Sequence, residues 1–218
     1  MASPSSTSSP RRGPQPQKRE AIARAARRVF GRDGYARAGI DAIAAEAAVS
    51  TRTIYKHFGG KQALFAAVLE ESAGEVAEGF DAFVADGLRE AGDDVERTLT
   101  VLGRAMVRQR TAFPEHFAMI RQINAEAPHF PPAVIEAWQQ AGPLRVQRRI
   151  TVELERLAAA GRLRLDDPER ATRHLVALVT ADLGVRSYAG GPPLDARATE
   201  AMVVSGVRAF LDGYRSRG

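Results

Sequence analysis

The chain contains no cysteine and only one tryptophan in 218 residues. The absence of cysteine excludes a disulfide framework, cysteine metal sites and thiol nucleophiles. No apolar run approaches the roughly 20 residues that a membrane-spanning helix needs. The Ser/Pro/Arg-rich N-terminus also has no apolar stretch behind it that would make a secretory signal. Together these absences predict a cytoplasmic protein.

Motifs for catalysis and for cofactor binding are missing as well. The sequence has no glycine-rich phosphate loop and no Gly-x-Ser-x-Gly nucleophile motif. Its four histidines lack the spacing of a metal site, and Glu153 and Glu155 are expected on different faces of a helix. Asp166-Asp167 is better explained as a helix cap than as a catalytic pair. We therefore expect no enzyme, no metal ion and no cofactor.

Positive charge is concentrated near the N-terminus. Residues 1–61 hold 12 Lys/Arg and 4 Asp/Glu, whereas residues 62–218 hold 19 and 22. Arginine outnumbers lysine 28 to 3, which a GC-rich genome would produce throughout. Genome bias does not readily explain an asymmetry between two parts of one chain. The basic N-terminal part instead indicates a phosphate-binding module.

The hydrophobic periodicity predicts an all-α protein, because no stretch sustains a two-residue alternation. Residues 1–16, with four Pro and five Ser, are expected to be a disordered basic arm. Such an arm either contacts DNA or is a passive tail, and both interpretations stay open. We expect a three-helix DNA-binding domain over 17–60 and a larger all-helical domain over 61–218. The predicted helices are 17–32, two short helices within 39–58, then 61–90, 93–110, 114–126, 131–160 with a break at Pro143, 167–189 and 194–215.

Residues 39–58 carry the most informative pattern. Ile43 and Ala44 give a first short helix one apolar face, and Ser50 can cap a second helix. That second helix buries Ile54 and Phe58, which lie four residues apart. Its other face is polar, basic and rich in hydroxyls, a combination that suits the major groove of DNA. This face consists of Thr51, Arg52, Thr53, Tyr55, Lys56 and His57.

The same pattern extends beyond these two helices. Its residues are Phe30, Gly34-Tyr35, Ile43-Ala44, Val49-Ser50, Thr53 to Phe58, Lys61 and Leu64-Phe65. Followed by a larger helical half, this arrangement resembles the tetracycline-repressor (TetR) family of transcriptional regulators, most strongly over about residues 18–70.

The resemblance implies a role for each residue of the polar face. Arg52 is the first candidate for reading bases, since a guanidinium pairs bidentately with guanine, and Lys56 is the second. Tyr55 and His57 are expected to reach backbone phosphates. Lys61, at the N-terminus of the next helix, is expected to add another phosphate contact. Thr51 and Thr53 complete the DNA-facing set.

Two positions depart from the family pattern. The family usually has Gly where this chain has Ala48, and a positive φ there costs Ala about 1 kcal/mol relative to Gly. The family also often has Thr or Ser where this chain has Ala38 and Gly39. Gly39 can act only as a weak N-cap, so a hydroxyl that would touch phosphate is missing.

The resemblance further implies a homodimer, formed by the last two helices, that binds a palindromic operator of double-stranded DNA. The apolar faces of segments 167–189 and 194–215 agree with this, although they also fit packing within one chain. A ligand chamber is expected between the DNA-binding part and the dimer interface. Its candidate residues form a stripe of Met, aromatic and other apolar side chains at helical spacing, a pattern that also fits an ordinary core. The candidate ligand-binding residues are Phe80, Phe83, Leu102, Met106, Phe113, Phe117, Ile120, Ile123 and Trp138.

The sequence thus predicts a ligand-responsive transcriptional regulator, a repressor that leaves its operator when a small molecule binds the C-terminal domain. Two alternatives stay open: a ligand-independent DNA-binding or architectural factor, and a small-molecule binding protein. Neither the ligand nor the operator sequence follows from the residues.

Overall fold

In a computed structural model of the chain, residues 14–126, 130–183 and 194–216 are described. These residues form α-helices joined by short connections and no β-sheet, with an isolated antiparallel bridge between Leu163 and Arg215. The expected all-α fold is confirmed. The helices are α1 (Pro14–Arg37), α2 (Ile40–Glu46), α3 (Thr51–Phe58), α4 (Lys61–Ala91), α5 (Val95–Ala112), α6 (Pro114–Glu126), α7 (Pro132–Ala141), α8 (Pro143–Ala159), α9 (Pro168–Val179) and α10 (Ala196–Tyr214).

Proline sets several helix boundaries. Helices α6 to α9 each begin at a proline, whose missing N–H is not needed in the first turn. The predicted break at Pro143 is confirmed, since α7 ends at Ala141 and α8 begins at Pro143. Gly142 lies between them, and a Cβ added there would be 2.9 Å from the backbone oxygen of Ala73. A larger residue at position 142 would therefore collide with the α4 backbone.

Helix α1 begins earlier than expected, at Pro14 rather than Gln17, because prolines are tolerated in a first turn. Near its expected end at Arg32, Gly34 takes a positive φ (78°) with a non-helical ψ (165°). The helix is therefore kinked at Gly34, and only a short turn follows it to Arg37. Residues 1–13 of the expected arm lie outside the described residues.

The helix expected over 167–189 is interrupted. It begins as predicted, with Asp167 accepting a hydrogen bond from the Arg170 amide at 2.8 Å. It then leaves helical geometry at Thr180, where φ is −120°. The Thr180 hydroxyl donates to the Val176 carbonyl at 2.7 Å, a local bond that competes with the helical pattern. Residues 184–189 of the expected helix lie outside the described residues.

The chain divides into two compact units, and the division falls inside α4, after Leu69. The first unit takes its described residues from 14–69 and 118–126, and the second from 70–117, 130–183 and 194–216. Helix α4 is continuous through this point. Each unit has its own buried apolar residues.

The core of the first unit is formed by the apolar faces of α1, α2, α3 and the start of α4. Phe30 and Phe65 are both buried there, with ring centroids 4.9 Å apart in an edge-to-face arrangement. Tyr35 adds a third ring, 5.0 Å from Phe65. Such aromatic pairs add about 0.5–1.5 kcal/mol each beyond the area that they bury.

The core of the second unit is one continuous cluster from α4, α5, α8, α9 and α10. Glycines bring α10 against its neighbours. A Cβ at Gly206 would lie 2.5 Å from the backbone oxygen of Leu178. A Cβ at Gly103 would lie 2.7 Å from a methyl group of Val203. These contacts set the separation of α9, α5 and α10.

Candidate nucleic-acid interface

Helix α3 is fixed at both ends by local capping. At its start, Ser50 Oγ accepts a hydrogen bond from the Thr53 amide at 3.2 Å, as expected for an N-cap serine. At its end, Gly59 takes the left-handed conformation (φ 80°), and its amide donates to the Tyr55 carbonyl at 2.8 Å. An eight-residue helix is thereby given defined ends.

The two faces of α3 differ as the sequence predicted. Ile54 and Phe58 are buried, whereas Arg52, Tyr55 and Lys56 are exposed. Thr51, Thr53 and His57 are partly exposed. Tyr55 is 54% exposed, so its ring and hydroxyl are accessible from solvent.

The two strongest cations of this face are unengaged. Neither Arg52 nor Lys56 forms a hydrogen bond or an ion pair with any described residue. Because an ion pair within the chain would have to be broken before a phosphate or a base edge is bound, free cations favour binding to an external anion.

Two contacts that the sequence did not reveal hold α3 and α2 against α1. The Arg19 guanidinium lies 4.5 Å from the centroid of the Phe58 ring, a cation–π contact. Arg28 and Arg32 of α1 both form ion pairs with Glu46 at the end of α2. The partners are 14 to 39 residues apart, so helical periodicity carries no signal for them.

The turn between α2 and α3 is strained at Ala48. Ala48 has a φ of 52°, and among the described residues it is the one non-glycine residue with a positive φ. The turn is closed by the Val49 amide, which donates to the Ala44 carbonyl at 3.0 Å. The expected cost of alanine at this position is therefore supported by the backbone geometry.

Replacing Ala48 with Gly should raise the free energy of unfolding of the first unit by about 1 kcal/mol. Relief of the left-handed strain, about 1–2 kcal/mol, exceeds the gain in unfolded-state entropy, about 0.4–1 kcal/mol. Urea denaturation followed by circular dichroism measures the change. Ala45→Gly, an exposed site inside α2, is the matched control and should be destabilising. A loss of stability in Ala48→Gly would contradict the strain.

Lys61 is already engaged within the chain. Its Nζ donates to the Ala36 carbonyl at 3.1 Å and lies 4.8 Å from the centroid of the Tyr35 ring. An ammonium group has three donors, so two remain after the bond to Ala36. The expected phosphate contact would use these.

The predicted ligand-binding residues belong to both units. Phe80 and Leu102 are buried in the core of the second unit, with Phe83 and Met106 packed against it. Ile120 and Ile123 belong to the first unit.

The three remaining candidates are partly buried aromatic residues of the second unit. A Cβ at Gly79 would lie 2.9 Å from the Phe113 ring. The Phe117 ring stands edge-on to His116 at 5.3 Å. The Nε1 of Trp138 is buried and has no hydrogen-bond partner among the described residues.

A surface groove of about 860 Å³ lies between α4, α5 and α10 in the second unit. Phe83 is the one predicted ligand residue that lines it, and Arg108 lies over the Phe83 ring at 4.8 Å. Arg104 donates to Glu200 at 3.0 Å across the groove, which holds the pKa of that carboxyl below its ordinary value. The walls of this groove come from helices that are distant in sequence, so no local pattern of residues marks it.

The apolar residues expected at the dimer interface are mostly buried within one chain. Ala171, Leu175 and Val179 of α9 belong to the core, as do Val203, Phe210 and other apolar residues of α10. The exposed residues of the same two helices include charged side chains, such as Arg173 on α9 and Arg208 on α10, and a set of smaller ones. Leu178 is 36% exposed. The small or apolar members of this exposed set are Ala177 and Leu178 on α9 and Ala201, Ser205, Ala209 and Gly213 on α10.

Among the described residues, no helix is long and apolar enough to cross a membrane. Within the same ranges, no cluster of three or more His, Cys, Asp or Glu side chains is arranged to hold a metal ion.

Comparisons with known proteins agree with this geometry. The profile for bacterial regulatory proteins of the TetR family matches residues 22–68, which contain α2 and α3. The profile for the C-terminal domain of AefR-like transcriptional repressors matches residues 97–216, more than half of the chain. No curated protein sequence matches the chain.

Solved structures with the same fold cover nearly all of the chain. A protein from Mesorhizobium loti, described as a TetR-family transcriptional regulator, is 25% identical; the match covers 94% of this chain and 100% of the other, with a TM-score of 0.81. The flavonoid-responsive regulator FrrA is 27% identical, covers 93% and 100%, and has a TM-score of 0.69. A transcriptional regulator from Saccharomonospora viridis in complex with choline is 22% identical, covers 93% and 100%, has a TM-score of 0.70, and shows the fold alone.

Proposed function

The chain belongs to the TetR family of bacterial transcriptional regulators, and from this premise we propose that it is a ligand-responsive repressor. Regulators of this family bind DNA and dimerise. Beyond that, we propose that the dimer holds a palindromic operator in its free state and leaves it when a small molecule binds the second unit. The chain acts in the cytoplasm by binding, without a catalytic step and without a cofactor.

The DNA-binding domain in this proposal is residues 17–60, with α3 lying in the major groove. The observation that carries it is the pair of exposed, unengaged cations Arg52 and Lys56, on the face opposite the buried Ile54 and Phe58. Arg52 reads a base edge and Lys56 a base or phosphate. The full contact set is Thr51, Arg52, Thr53, Tyr55, Lys56, His57 and Lys61.

Substituting Lys56 with Ala should weaken binding to all DNA sequences and make the salt dependence shallower. Loss of one phosphate contact reduces the slope of log K against log salt by about 0.9. Fluorescence anisotropy with a labelled operator duplex between 50 and 300 mM salt measures the slope. Arg148→Ala, an exposed arginine of α8 in the second unit, changes net charge equally and is the control. Equal slopes in both variants would contradict the docking.

Two copies are proposed to pair through the exposed small residues of α9 and α10. Ala201, Ser205 and Ala209 recur every four residues on α10, so two such helices can approach closely. The partly exposed Leu178 of α9 supports the same surface. A two-fold dimer would present two α3 helices about 34 Å apart, one helical turn of DNA.

The proposed ligand site lies among the seven candidate residues of the second unit. The neighbouring structures support small organic ligands in this fold: FrrA is named for its response to flavonoids, and the S. viridis regulator was solved with choline. The ligand releases DNA only through a higher affinity for the conformer that does not bind the operator. Helix α4 is the candidate element for transmitting the effect of the ligand to α3, because one continuous helix begins at Lys61 beside α3 and ends at Ala91.

The experiment has two stages. Selection from random duplexes first identifies the operator, and a palindrome with half-sites one helical turn apart supports the dimer. Flavonoids and choline are then titrated into the complex while anisotropy is recorded. Release by one of them supports the repressor. Operator binding that none of a broad panel of small molecules alters favours a ligand-independent factor, and ligand binding without a selected sequence favours a small-molecule binding protein.

A further inference from the structure

Lys61 occupies a position that the helix dipole disfavours. It is the first residue of α4, and the first turn of that helix contains no acidic residue. A cation at a helix N-terminus faces the positive end of the macrodipole. The Lys61 side chain instead reaches the end of α1, where its Nζ donates to the Ala36 carbonyl at 3.1 Å. Carbonyls in the last turn of a helix lack helical donors, and a cation is favourable there.

The other side of the ammonium group faces an aromatic ring. Lys61 Nζ lies 4.8 Å from the centroid of Tyr35, which packs against Phe30 and Phe65 at 6.1 and 5.0 Å. Those two phenylalanines are buried in the core of the first unit. Lys61 therefore contacts a rigid part of that unit, and a cation–π contact adds to the charged hydrogen bond.

The segment between the two contact points contains the whole α2–α3 pair. Gly39 precedes α2 and provides no side-chain cap, and Gly59-Gly60 separates α3 from α4. A Cβ at any of these three glycines would meet no atom within 4 Å, so close packing does not require glycine at either junction, and we call the two junctions glycine hinges. The bond between Ala36 and Lys61 spans both glycine hinges.

We propose that Lys61 is a positioning residue that fixes the orientation of α2 and α3 by joining the end of α1 to the start of α4. This inference rests on the proposed function, since it says how the DNA-reading helix is oriented. A displacement of the α4 start moves the Ala36 end at the same time. Helices α2 and α3 then reorient together. Without the contact between Lys61 and Ala36, the same displacement of α4 would only bend the chain at Gly59-Gly60.

Two measurements test this role, using full-length protein with Lys61→Met, Tyr35→Leu and both together. The first is hydrogen–deuterium exchange of residues 40–58 in the DNA-free protein. The second is operator affinity and its salt slope. Lys61→Arg and Tyr35→Phe are the matched controls, because they keep the cation and the ring.

We expect Lys61→Met and Tyr35→Leu each to speed exchange over 40–58 and to weaken operator binding about tenfold. The double variant should bind the operator no more weakly than the weaker-binding of the two single variants, because both substitutions remove the same contact between Lys61 and Tyr35. The salt slope should fall by about 0.9 in Lys61→Met, which also loses the proposed phosphate contact, and should stay unchanged in Tyr35→Leu. Lys61→Arg should restore exchange and affinity.

A different pattern would overturn the positioning role. If Lys61→Met leaves exchange over 40–58 unchanged and reduces the salt slope by about 0.9, Lys61 acts by direct phosphate contact. If the two single losses multiply in the double variant, the residues act independently. Failure of the wild-type protein to select any DNA sequence would refute the proposed function, while the exchange measurement still decides the role of Lys61.

Discussion

Replacing Gly206 with Ala should lower the free energy of unfolding by about 2–3 kcal/mol. The new Cβ would lie 2.5 Å from the Leu178 backbone oxygen and 2.9 Å from the Val179 Cα. Backbone atoms cannot rotate away as a side chain can, so α9 and α10 must separate. This overpacking outweighs the roughly 1 kcal/mol by which Ala favours a helix over Gly. Urea denaturation at one fixed protomer concentration measures the loss.

Gly213 gives a matched control in the same helix. A Cβ added there meets no atom within 4 Å, so Gly213→Ala should leave stability unchanged or raise it by up to about 1 kcal/mol. The contrast separates close packing from helix propensity. Equal effects at both positions would show that the close approach of α9 and α10 does not constrain residue 206.

Replacing Arg52 with Ala should reduce operator affinity by about tenfold to a hundredfold and relax the choice of base at one position in each half-site. A bidentate guanidinium–guanine pair discriminates by about 1–3 kcal/mol. Competition binding against every single-base variant of the operator measures both effects. Arg52 is exposed and has no partner among the described residues, so its loss should leave the fold intact.

Arg52→Lys distinguishes base reading from charge. Lysine keeps the positive charge but lacks the planar fork, so this variant should keep non-specific DNA affinity and lose selectivity. If Arg52→Ala instead weakens all duplexes equally and reduces the salt slope, Arg52 contacts phosphate. In that case Lys56 becomes the first candidate for base reading.

Much of the fold could be predicted because local rules decide it. Proline supplies the starts of α6 to α9, and the split at Pro143 follows from its fixed φ and missing N–H. The two faces of α3 follow from Ile54 and Phe58 at helical spacing, with a serine cap before them. Each signal lies within a few residues of the feature that it predicts.

Features that depend on distant partners could not be predicted in this way. Apolar periodicity on α9 and α10 is the same whether the partner is the protomer's own core or a second copy. The structure assigns most of those residues to the core and leaves charged and small residues exposed.

The same distinction between local and distant determinants applies to the candidate site. The exposed face of α3 is a local property, whereas the engagement of Lys61 depends on Ala36, 25 residues earlier. The ligand chamber was predicted from aromatic residues at helical spacing, a pattern that a plain core shares. Phe80 and Leu102 are buried in the core of the second unit, and periodicity alone does not distinguish a chamber lining from a plain core.

The position of Trp138 gives this protein a built-in optical reporter. It is the only tryptophan in the chain, and its indole nitrogen is shielded in the second unit. Emission excited at 295 nm therefore originates from that unit alone, whereas Tyr55 on α3 does not contribute. Quenching or a spectral shift during a titration registers events around α7 without any attached dye, while a fluorophore on the duplex reports on the DNA-reading end in the same cuvette.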